Sequence, residues 1–590
     1  MSPVAVLALS LFFQTQFSQQ IIVTASKVPE TVESTPASVS VITKKEIDKQ
    51  AARDVADVLR EVPGLDVSRT GSFGKETSVF MRGASSKQTL VLWNGVEIND
   101  PYFSGYNWGQ FSTAGVERVE VVRGPFSSLY GADAVGGVVN IITTGAAPHT
   151  DFDFAAGGRG LYNGVASYGT ANFNIVAEHR QDNGFALNDN DRQNSLLGSA
   201  TFAPSPSLQI GVAGRGANYD LGVPQNVNDL GTAYVVTPHH RENGNEWQLA
   251  IPITATLGAI HTDFRVSQSH RRDDNEDPDS QTFGTTVSSR RDAHLSASAS
   301  TPIGTLVGGA EVERSDAQNN DSFGDNVDRH DRNSQSLFAE DRLSRGALEL
   351  SAGVRYDHYD TFGSQTSPRI AGAWMRGGNK FRAAYGQSFR APQVGELYLP
   401  FFGNPNLRPE RSRSVEVGYD RFFNRDAVVS VTAFHSTFRD LIDYDLAANR
   451  FGNIGEAKSN GVEVAVMDRF GPFSATLTYT YLQAIDASTD EQLPRRPRNS
   501  GSLVLDYERG PAIANLVVDR VGSRPDVEDL APFGTVINQA YTLVDLALHW
   551  RMARVEPYAK LENLTNARYQ EVFGFPSPSR LLIAGVRYSR

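Results

Sequence analysis

Glycines are concentrated in residues 123–143, where the sequence reads RGPFSSLYGADAVGGVVNIIT. Gly131 and Gly136 have the GxxxxG spacing with which a P-loop cradles phosphate. A P-loop would continue with Lys and Ser or Thr and would follow its strand, but Gly137 and Val138 come next and the strand-like residues come later. The pattern therefore argues against a nucleotide site. It favours glycines that let the backbone pack closely against another surface.

The other reactive residue types do not form a catalytic set. The adjacent pair His239-His240 lacks the HExxH or similar spacing of a metal site. The chain has no Cys, which excludes disulfides and thiolate metal ligands. Its pI near 5.5 argues against a nucleic-acid partner. We therefore predict that the protein is not an enzyme and requires no cofactor.

The N-terminus contains an apolar run over residues 3–13. This run is too short for a membrane-spanning helix, but its length is typical of a secretory signal. We predict a signal peptide over residues 1–19, with a buried N-terminal strand as the alternative. No other apolar stretch approaches 18 residues, so transmembrane helices are not expected.

Residues 30–147 have the pattern of a compact α+β unit. Thr43 and Glu46 form a capping-box sequence that opens a helical pattern, which continues to Pro63-Gly64. Asn94-Gly95 is a hairpin signal between two apolar runs. The predicted strands are 38–43, 77–82, 89–93, 116–122 and 138–142.

From about residue 150 the sequence alternates apolar and polar residues in segments of about ten, roughly 22 in number. In one of them Val544, Leu546, Leu548 and Trp550 share a face. Short turns alternate with long polar connections at 219–244, 273–285, 316–332 and 524–538. This rhythm predicts an all-β transmembrane barrel of about 22 antiparallel strands. A soluble multi-sheet protein would explain the alternation but not the loop rhythm.

So wide a barrel cannot be filled by its own side chains, and its lumen is normally plugged. We predict that the small N-terminal α+β unit is the plug, with the opening glycines at the barrel wall. Arg82, Arg118 and Arg123 would then meet acidic lumen groups such as Glu416, unless these arginines are simply solvated.

Three stretches resemble signatures of the TonB-dependent outer-membrane receptors: residues 79–100 with 116–143, residues 388–420, and residues 561–590. The resemblance covers nearly the whole chain after the signal. It implies a 22-stranded barrel, a plug, and uptake of a scarce large nutrient coupled to TonB of the inner-membrane energising complex. The implied location is the cell outer membrane of a Gram-negative-type bacterium, in contact with lipid, with the plug facing the periplasm.

The segment QIIVTASK at 20–27 is similar to a TonB box. Its residues favour an extended strand that can add to a partner's sheet edge. We expect the contact with TonB to be made by Ile21, Ile22, Val23, Thr24 and Ala25. Their alternative role is the first strand of the plug. The predicted divisions are thus a signal at 1–19, a box at 20–27, a plug at 28–147 and a barrel at 148–590.

Ligand should first meet two outward loops of the plug, at 68–76 and 99–110. Their side chains offer broad apolar faces with hydrogen-bonding edges, which suits a large, ring-rich ligand. We expect the aromatic residues of the second loop to be partly exposed at the apex of the plug, with interior packing as the alternative. The predicted ligand residues are Phe73, Tyr102, Phe103, Tyr106, Asn107 and Trp108.

The ligand itself is harder to predict. Residues 403–412 and 572–580 look most like the cobalamin-receptor branch, which makes cobalamin or a related corrinoid the main reading and a ferric siderophore the alternative. Asp182, Asp189 and Asp191 lie where that branch holds calcium, and hard oxygen donors suit the ion, although such turns are commonly just solvated. A passive porin or adhesin is the alternative of another class, but it needs neither a plug nor an exposed box.

Overall fold

The structure of the chain is a computed structural model. The structure describes residues 21–22, 27–224 and 238–590, apart from 303, 325, 425, 446–447, 529–533 and 576. The predicted signal at 1–19 lies outside the described residues, as do Val23, Thr24 and Ala25 of the predicted box.

The N-terminal unit is a small α+β plug built on a five-stranded sheet, whose strands lie in the spatial order Ser38–Thr43, Val116–Arg123, Gly137–Thr143, Thr89–Trp93 and Val96–Glu97, with the third and fourth of these parallel. Its last strand ends at Thr143 and the first wall strand begins at His149. The strands of the unit and of the preceding segment are β1 (Ile21–Ile22), β2 (Glu30–Thr31), β3 (Ser38–Thr43), β4 (Leu65–Arg69), β5 (Thr77–Met81), β6 (Thr89–Trp93), β7 (Val96–Glu97), β8 (Val116–Arg123) and β9 (Gly137–Thr143). The helices are α1 (Lys44–Gln50), α2 (Val55–Leu59) and α3 (Ser127–Tyr130), with 3-10 turns at Ser86–Gln88 and Trp108–Gln110.

The helical pattern after residue 43 forms two helices rather than the single one that its periodicity predicts. The capping box of Thr43 and Glu46 is confirmed. Ala51 then adopts a left-handed conformation with φ of 46°, which ends α1, and Asp54 caps α2. The break places Arg53 against the barrel wall, where it pairs with Glu562.

The Asn94-Gly95 turn confirms the predicted hairpin. Both residues have positive φ, 48° and 81°, as a type I′ turn requires. Trp93 and Val96 are the facing pair that closes the hairpin.

The rest of the chain is a closed antiparallel barrel of 22 strands, which confirms the predicted fold class. The first and last wall strands pair with each other, so no sheet edge is left open. The first eleven wall strands are β10 (His149–Gly157), β11 (Tyr162–Gly169), β12 (Phe173–Asp182), β13 (Asp191–Ser205), β14 (Leu208–Gly222), β15 (Arg241–Leu257), β16 (Ile260–Asp277), β17 (Thr282–Thr301), β18 (Gly304–Asp321), β19 (Val327–Arg345) and β20 (Leu348–Tyr359).

The wall continues through eleven more strands, interrupted by one short helix and one hairpin outside the ladder. Helix α4 (Val394–Tyr398) lies in the connection 391–409, and β29 (Arg524–Glu528) pairs with β30 (Gly534–Asn538). The remaining wall strands are β21 (Gly363–Arg376), β22 (Asn379–Arg390), β23 (Glu410–Phe422), β24 (Val428–Asp445), β25 (Arg450–Phe470), β26 (Phe473–Asp486), β27 (Asn499–Arg509), β28 (Ala512–Val521), β31 (Tyr541–Trp550), β32 (Val555–Glu562) and β33 (Leu581–Ser589). Within the described part of the chain, no helix is both long and apolar enough to cross a membrane.

Alternation along each wall strand separates a lipid face from a lumen face. In β31 the side chains of Leu548 and Trp550 point outward and are about half exposed, whereas Ala547 and His549 face the lumen and are buried. In β23 Val417 points outward and Glu416 points inward. The predicted apolar face is therefore the outer surface, as hydrocarbon requires.

Two of the expected long connections are strands instead. The stretch 273–285 is mostly occupied by β16 and β17, which leave only the turn 278–281. The stretch 316–332 is likewise mostly β18 and β19. These strand ends are polar on both faces because they continue the ladder beyond the apolar belt, where the outer face no longer meets hydrocarbon.

The glycines of the opening segment serve two different contacts. Gly131 faces the wall, where an added Cβ would lie 3.0 Å from the guanidinium of Arg355. Gly137 instead packs inside the plug, where an added Cβ would lie 2.2 Å from the carbonyl oxygen of Val122. The expectation of close packing against the wall therefore holds for the first glycine but not for the second.

Candidate functional site

The plug is held to the wall by buried ion pairs. Arg82 at the end of β5 donates from Nε to Glu463 at 2.7 Å and from Nη1 to Glu416 at 2.5 Å. Arg123 at the end of β8 lies 3.4 Å from Glu463. All four side chains are buried, so each depends on the others for its charge to be tolerated. Arg118 differs, because it donates to Glu120 on its own strand at 2.8 Å.

A second set of plug cations was missed in the sequence. These residues lie on or beside α1 and α2, and helical surfaces of this kind usually face water. Here they face a lumen wall lined with carboxylates. Because Ala51 ends α1 between Lys49 and Arg53, no helical spacing in the sequence predicts that these two side chains face the same wall. The pairs are Lys49 with Asp506 at 3.2 Å, Arg53 with Glu562 at 2.9 Å and Arg60 with Glu571 at 2.9 Å.

One plug carboxyl lies close to the wall without a short ion pair. Burial raises the pKa of the Asp66 carboxyl to about 7, although Arg524 and Arg496 partly oppose this rise. A carboxyl in this position takes up a proton under mildly acidic conditions. The contact between plug and wall therefore contains a group that responds to pH.

The loop 99–110 divides its aromatic side chains between the core and the surface. Trp108 and Tyr106 are buried in the plug core, and the Tyr106 hydroxyl donates to Glu246 at 3.0 Å. Tyr102 is also buried, between the plug and the wall. The sequence predicts partial exposure for all four aromatic residues of this loop, but only Phe103 among them is partly exposed.

The other two predicted ligand residues have structural partners. Asn107 is half buried, and its side-chain oxygen accepts from the amides of Thr77 and Gly109. Phe73 is buried, with the guanidinium of Arg53 3.3 Å from its ring centre. A ligand role for these residues stays a prediction.

Phe103 lies in a partly exposed aromatic group at the end of the barrel that carries the long connections. Its ring centre is 6.1 Å from Phe451, which is 5.8 Å from Tyr444, which in turn is 5.8 Å from Phe402. The ammonium of Lys87, whose side chain is 41% exposed, is 5.1 Å from the Phe103 ring. We call these five residues the mouth patch. The sequence pointed to Phe103 alone, because its partners come from distant connections.

Two of the three aspartates of the proposed calcium site accept hydrogen bonds, and the third lies near a guanidinium. Asp189 accepts from the Ser72 hydroxyl at 2.7 Å, and Asp182 accepts from the Gly184 amide at 2.8 Å. Asp191 lies 3.5 Å from the guanidinium of Arg180. Among the residues that the structure describes, no group of three His, Asp or Glu side chains is placed to hold a metal. Calcium binding by these three aspartates stays a prediction.

Ile21 and Ile22 of the predicted box form the extended strand β1. Ile21 lies opposite Thr31 and Ile22 lies opposite Glu30. The Glu30 carboxylate pairs with Arg342 on the inner face of β19. The box is thus joined through β2 to the barrel wall.

A closed 22-stranded barrel with a folded domain inside its lumen defines an outer-membrane transport protein rather than an open pore. The family model of the TonB dependent receptor-like beta-barrel matches residues 92–565, and that of the TonB-dependent Receptor Plug Domain matches residues 31–138. The chain belongs to the TonB-dependent outer-membrane receptors, a family of transport receptors and not of enzymes.

Several solved structures share this fold at low sequence identity. The ferripyoverdine receptor of the outer membrane of Pseudomonas aeruginosa is 16% identical, with a TM-score of 0.83 over 98% of this chain and 89% of that one. The ferric yersiniabactin uptake receptor from Yersinia pestis is 15% identical, with a TM-score of 0.79 over 94% of this chain and 98% of that one. A siderophore receptor from Acinetobacter baumannii is 15% identical, with a TM-score of 0.78 over 94% and 98%. At these identities the likeness concerns the fold.

Proposed function

We propose that this receptor takes up a ferric siderophore across the outer membrane with energy delivered through TonB. The long connections and the mouth patch would face outward, and the plug and box would face the periplasm of a Gram-negative-type bacterium. The observation that carries the choice of ligand is the mouth patch. The names of the similar structures, which are siderophore receptors, support the same choice.

The mouth patch combines aromatic faces with a cation. Phe103, Phe402, Tyr444 and Phe451 are each half buried, so they can gain contact area when a ring-bearing ligand binds. The Lys87 ammonium lies beside the Phe103 ring and 3.9 Å from the Glu396 carboxylate, which also pairs with Arg390 at 2.9 Å and so is already neutralised in part. An anionic iron chelate with aromatic groups suits this pairing, since rings can stack while the ammonium neutralises charge.

Cobalamin remains the competing ligand. A corrinoid would also use the aromatic faces, but it has less need of the Lys87 ammonium. The calcium site that accompanied the cobalamin reading is not supported by the positions of the three aspartates. A ferric siderophore is therefore the ligand that we propose, and cobalamin is included as a competing ligand in the binding experiment below.

Coupling would act through the short path from the box to the wall. A partner strand that pairs with residues 20–26 can pull on β1, and the load passes to β2 through the facing pairs at Ile21 and Ile22. The next contact to receive the load is the ion pair of Glu30 with Arg342. We expect the plug to loosen first at this contact.

Calorimetric titration of the purified receptor tests the proposal, with ferric catecholate, ferric hydroxamate and cyanocobalamin as ligands. We expect a ferric chelate to bind, and we expect Phe103→Ala to weaken it roughly ten-fold without lowering the melting temperature. Phe202→Ala is the matched control, because Phe202 is an exposed ring on the lipid face. Binding of cyanocobalamin alone would overturn the siderophore proposal, and an unchanged affinity of the Phe103 variant would overturn the assigned site.

A further inference from the structure

Four cations form a cluster on the outer wall of the barrel, apart from the mouth patch. They are Arg411 and Arg413 on β23, Arg439 on β24 and Lys458 on β25, and we call them the cationic patch. All four are exposed. They point away from the lumen because their strand neighbours, including Ser412, Phe438 and Ser459, are buried on the inner face.

Strand register brings these charges together. Arg411 lies directly opposite Arg439. One row lower, Thr437 lies opposite both Arg413 and Lys458, so these two flank a single residue. Facing residues have Cβ atoms about 5 Å apart, and like charges in facing positions destabilise a sheet. The patch therefore favours an anion from outside the protein.

The patch has no counter-charge of its own at close range. In the described part of the chain, none of these four side chains forms an ion pair or a hydrogen bond with another residue. Glu456 is one exposed carboxylate on the same face of β25, two residues beyond Lys458. A single carboxylate beside four cations leaves the patch positive.

Outward arginines elsewhere on the wall are paired differently. On β16, β18 and β19 three such arginines have a carboxylate partner on the same outer surface, whereas Arg291 on β17, which lies opposite Arg314, forms no ion pair within the described residues. The pairs are Arg314 with Asp331 at 2.6 Å, Arg272 with Asp274 at 2.7 Å and Arg329 with Asp316 at 3.4 Å. These pairs show how the wall can neutralise an outward charge with its own carboxylates. The four cations of the patch form no such pair, and they lie together on three neighbouring strands.

The height of the patch identifies what covers it. Val415 and Val417 follow on the same face of β23, 47% and 54% exposed, and Val462 follows on β25. These side chains belong to the apolar belt that faces hydrocarbon. Two residues along a strand span about 7 Å. The cations therefore lie just beyond the hydrocarbon, at the level of lipid head groups.

We infer that the cationic patch binds the phosphate groups of a phosphorylated glycolipid in the outer leaflet of the membrane. The patch lies at the end of the barrel with the long connections, which the proposed orientation places outward. Guanidinium groups bind phosphate oxygens in a bidentate manner, so the two facing arginines can share one phosphate. Lipid binding would then relieve the repulsion between Arg411 and Arg439.

Native mass spectrometry of the receptor in neutral detergent tests the inference, with diphosphorylated lipid A as the probe. The test variant carries Gln at all four patch positions, and the matched control carries Arg272→Gln, Arg314→Gln and Arg329→Gln. We expect the patch variant to bind lipid A more than a hundred-fold more weakly, from roughly five-fold per cation. The control should bind as the wild type does.

Three outcomes would overturn the inference. They are equal binding by the patch variant, equal binding of dephosphorylated lipid A, and full displacement of lipid A by millimolar inorganic phosphate. A second readout guards against misfolding. Without lipid, Arg411→Gln should leave the melting temperature of the barrel unchanged or raise it, because it removes one of two facing like charges. A lowered melting temperature would contradict the repulsion on which the inference rests.

Discussion

Replacement of Arg82 by Ala should loosen the plug inside an intact barrel. The guanidinium binds Glu463 at 2.7 and 2.9 Å and Glu416 at 2.5 Å, with all three side chains buried. Removal of one partner of a buried ion pair costs about 3–5 kcal/mol, because the other charge stays buried. Here Arg123 remains 3.4 Å from Glu463 and Arg382 remains 3.5 Å from Glu416. We therefore expect the lower end, about 3 kcal/mol.

A single fluorescent label can report on the plug alone. The chain has no Cys, so Glu117→Cys introduces a unique thiol at an exposed position of β8. Urea titration of the labelled protein gives the free energy of plug unfolding. Heat modifiability on gels, measured on the same samples, shows whether the barrel is still folded.

Two variants make the result interpretable. Lys44→Ala removes an exposed pair with Asp48 and should cost less than about 0.5 kcal/mol. Arg82→Leu combined with Arg123→Leu and Glu463→Leu should recover much of the loss, since Glu416 keeps Arg382 at 3.5 Å and the other three buried charges are removed together. Equal effects of Arg82→Ala and Lys44→Ala would refute the view that buried ion pairs hold the plug.

Four further outcomes are expected. Ile22→Pro should weaken binding of a purified TonB C-terminal domain without changing ligand affinity, because it removes a backbone donor from the pairing strand; unchanged TonB affinity by calorimetry would contradict the box assignment. Deletion of residues 20–147 should leave a barrel that inserts into planar bilayers and conducts solutes, whereas a sealed barrel would mean that the wall itself closes the lumen. Burial raises the pKa of the Asp66 carboxyl to about 7, so the protonated carboxyl contributes its full stability to the plug below about pH 4, and this stability is lost as the pH rises through 7. Asp66→Asn should therefore flatten the plot of the urea midpoint against pH between about pH 4 and 7. An unaltered plot would rule out this carboxyl as the source of the pH dependence. Trp108→Ala should lower plug stability by about 3 kcal/mol through a core cavity, and a loss of ligand affinity at unchanged stability would instead place the ring in the ligand site.

The fold could be predicted because the membrane imposes a strict pattern on the sequence. A wall strand must place apolar residues on every second position, and the segment with Leu548 and Trp550 does so. The capping box at Thr43 and the Asn94-Gly95 turn are local signals whose geometry depends on few other residues. Local signals of this kind form the same structure whatever the rest of the chain packs against them, so the sequence alone predicts them.

The site was harder to predict because it depends on distant parts of the chain. The break at Ala51 interrupts a regular helical pattern and lets Arg53 pair with Glu562 on the wall. Helix propensity depends on nearby residues only, so it could not predict an end that is set by a contact with Glu562. The aromatic loop looked like one exposed surface, but Trp108 packs into the core while Phe103 reaches the mouth. Composition reports the residue types, and only the fold decides which of them face outward.

Accumulation of radioactive iron in iron-starved cells tests the central claim most directly. The ligand would be the ferric siderophore that binds the purified receptor, and the cells would express either the full chain or a version lacking residues 20–26. The account predicts equal surface binding by both proteins, with accumulation by the full chain alone and none after the proton gradient is collapsed. Equal accumulation by the deleted version, or accumulation that survives loss of the gradient, would contradict energised uptake through the box.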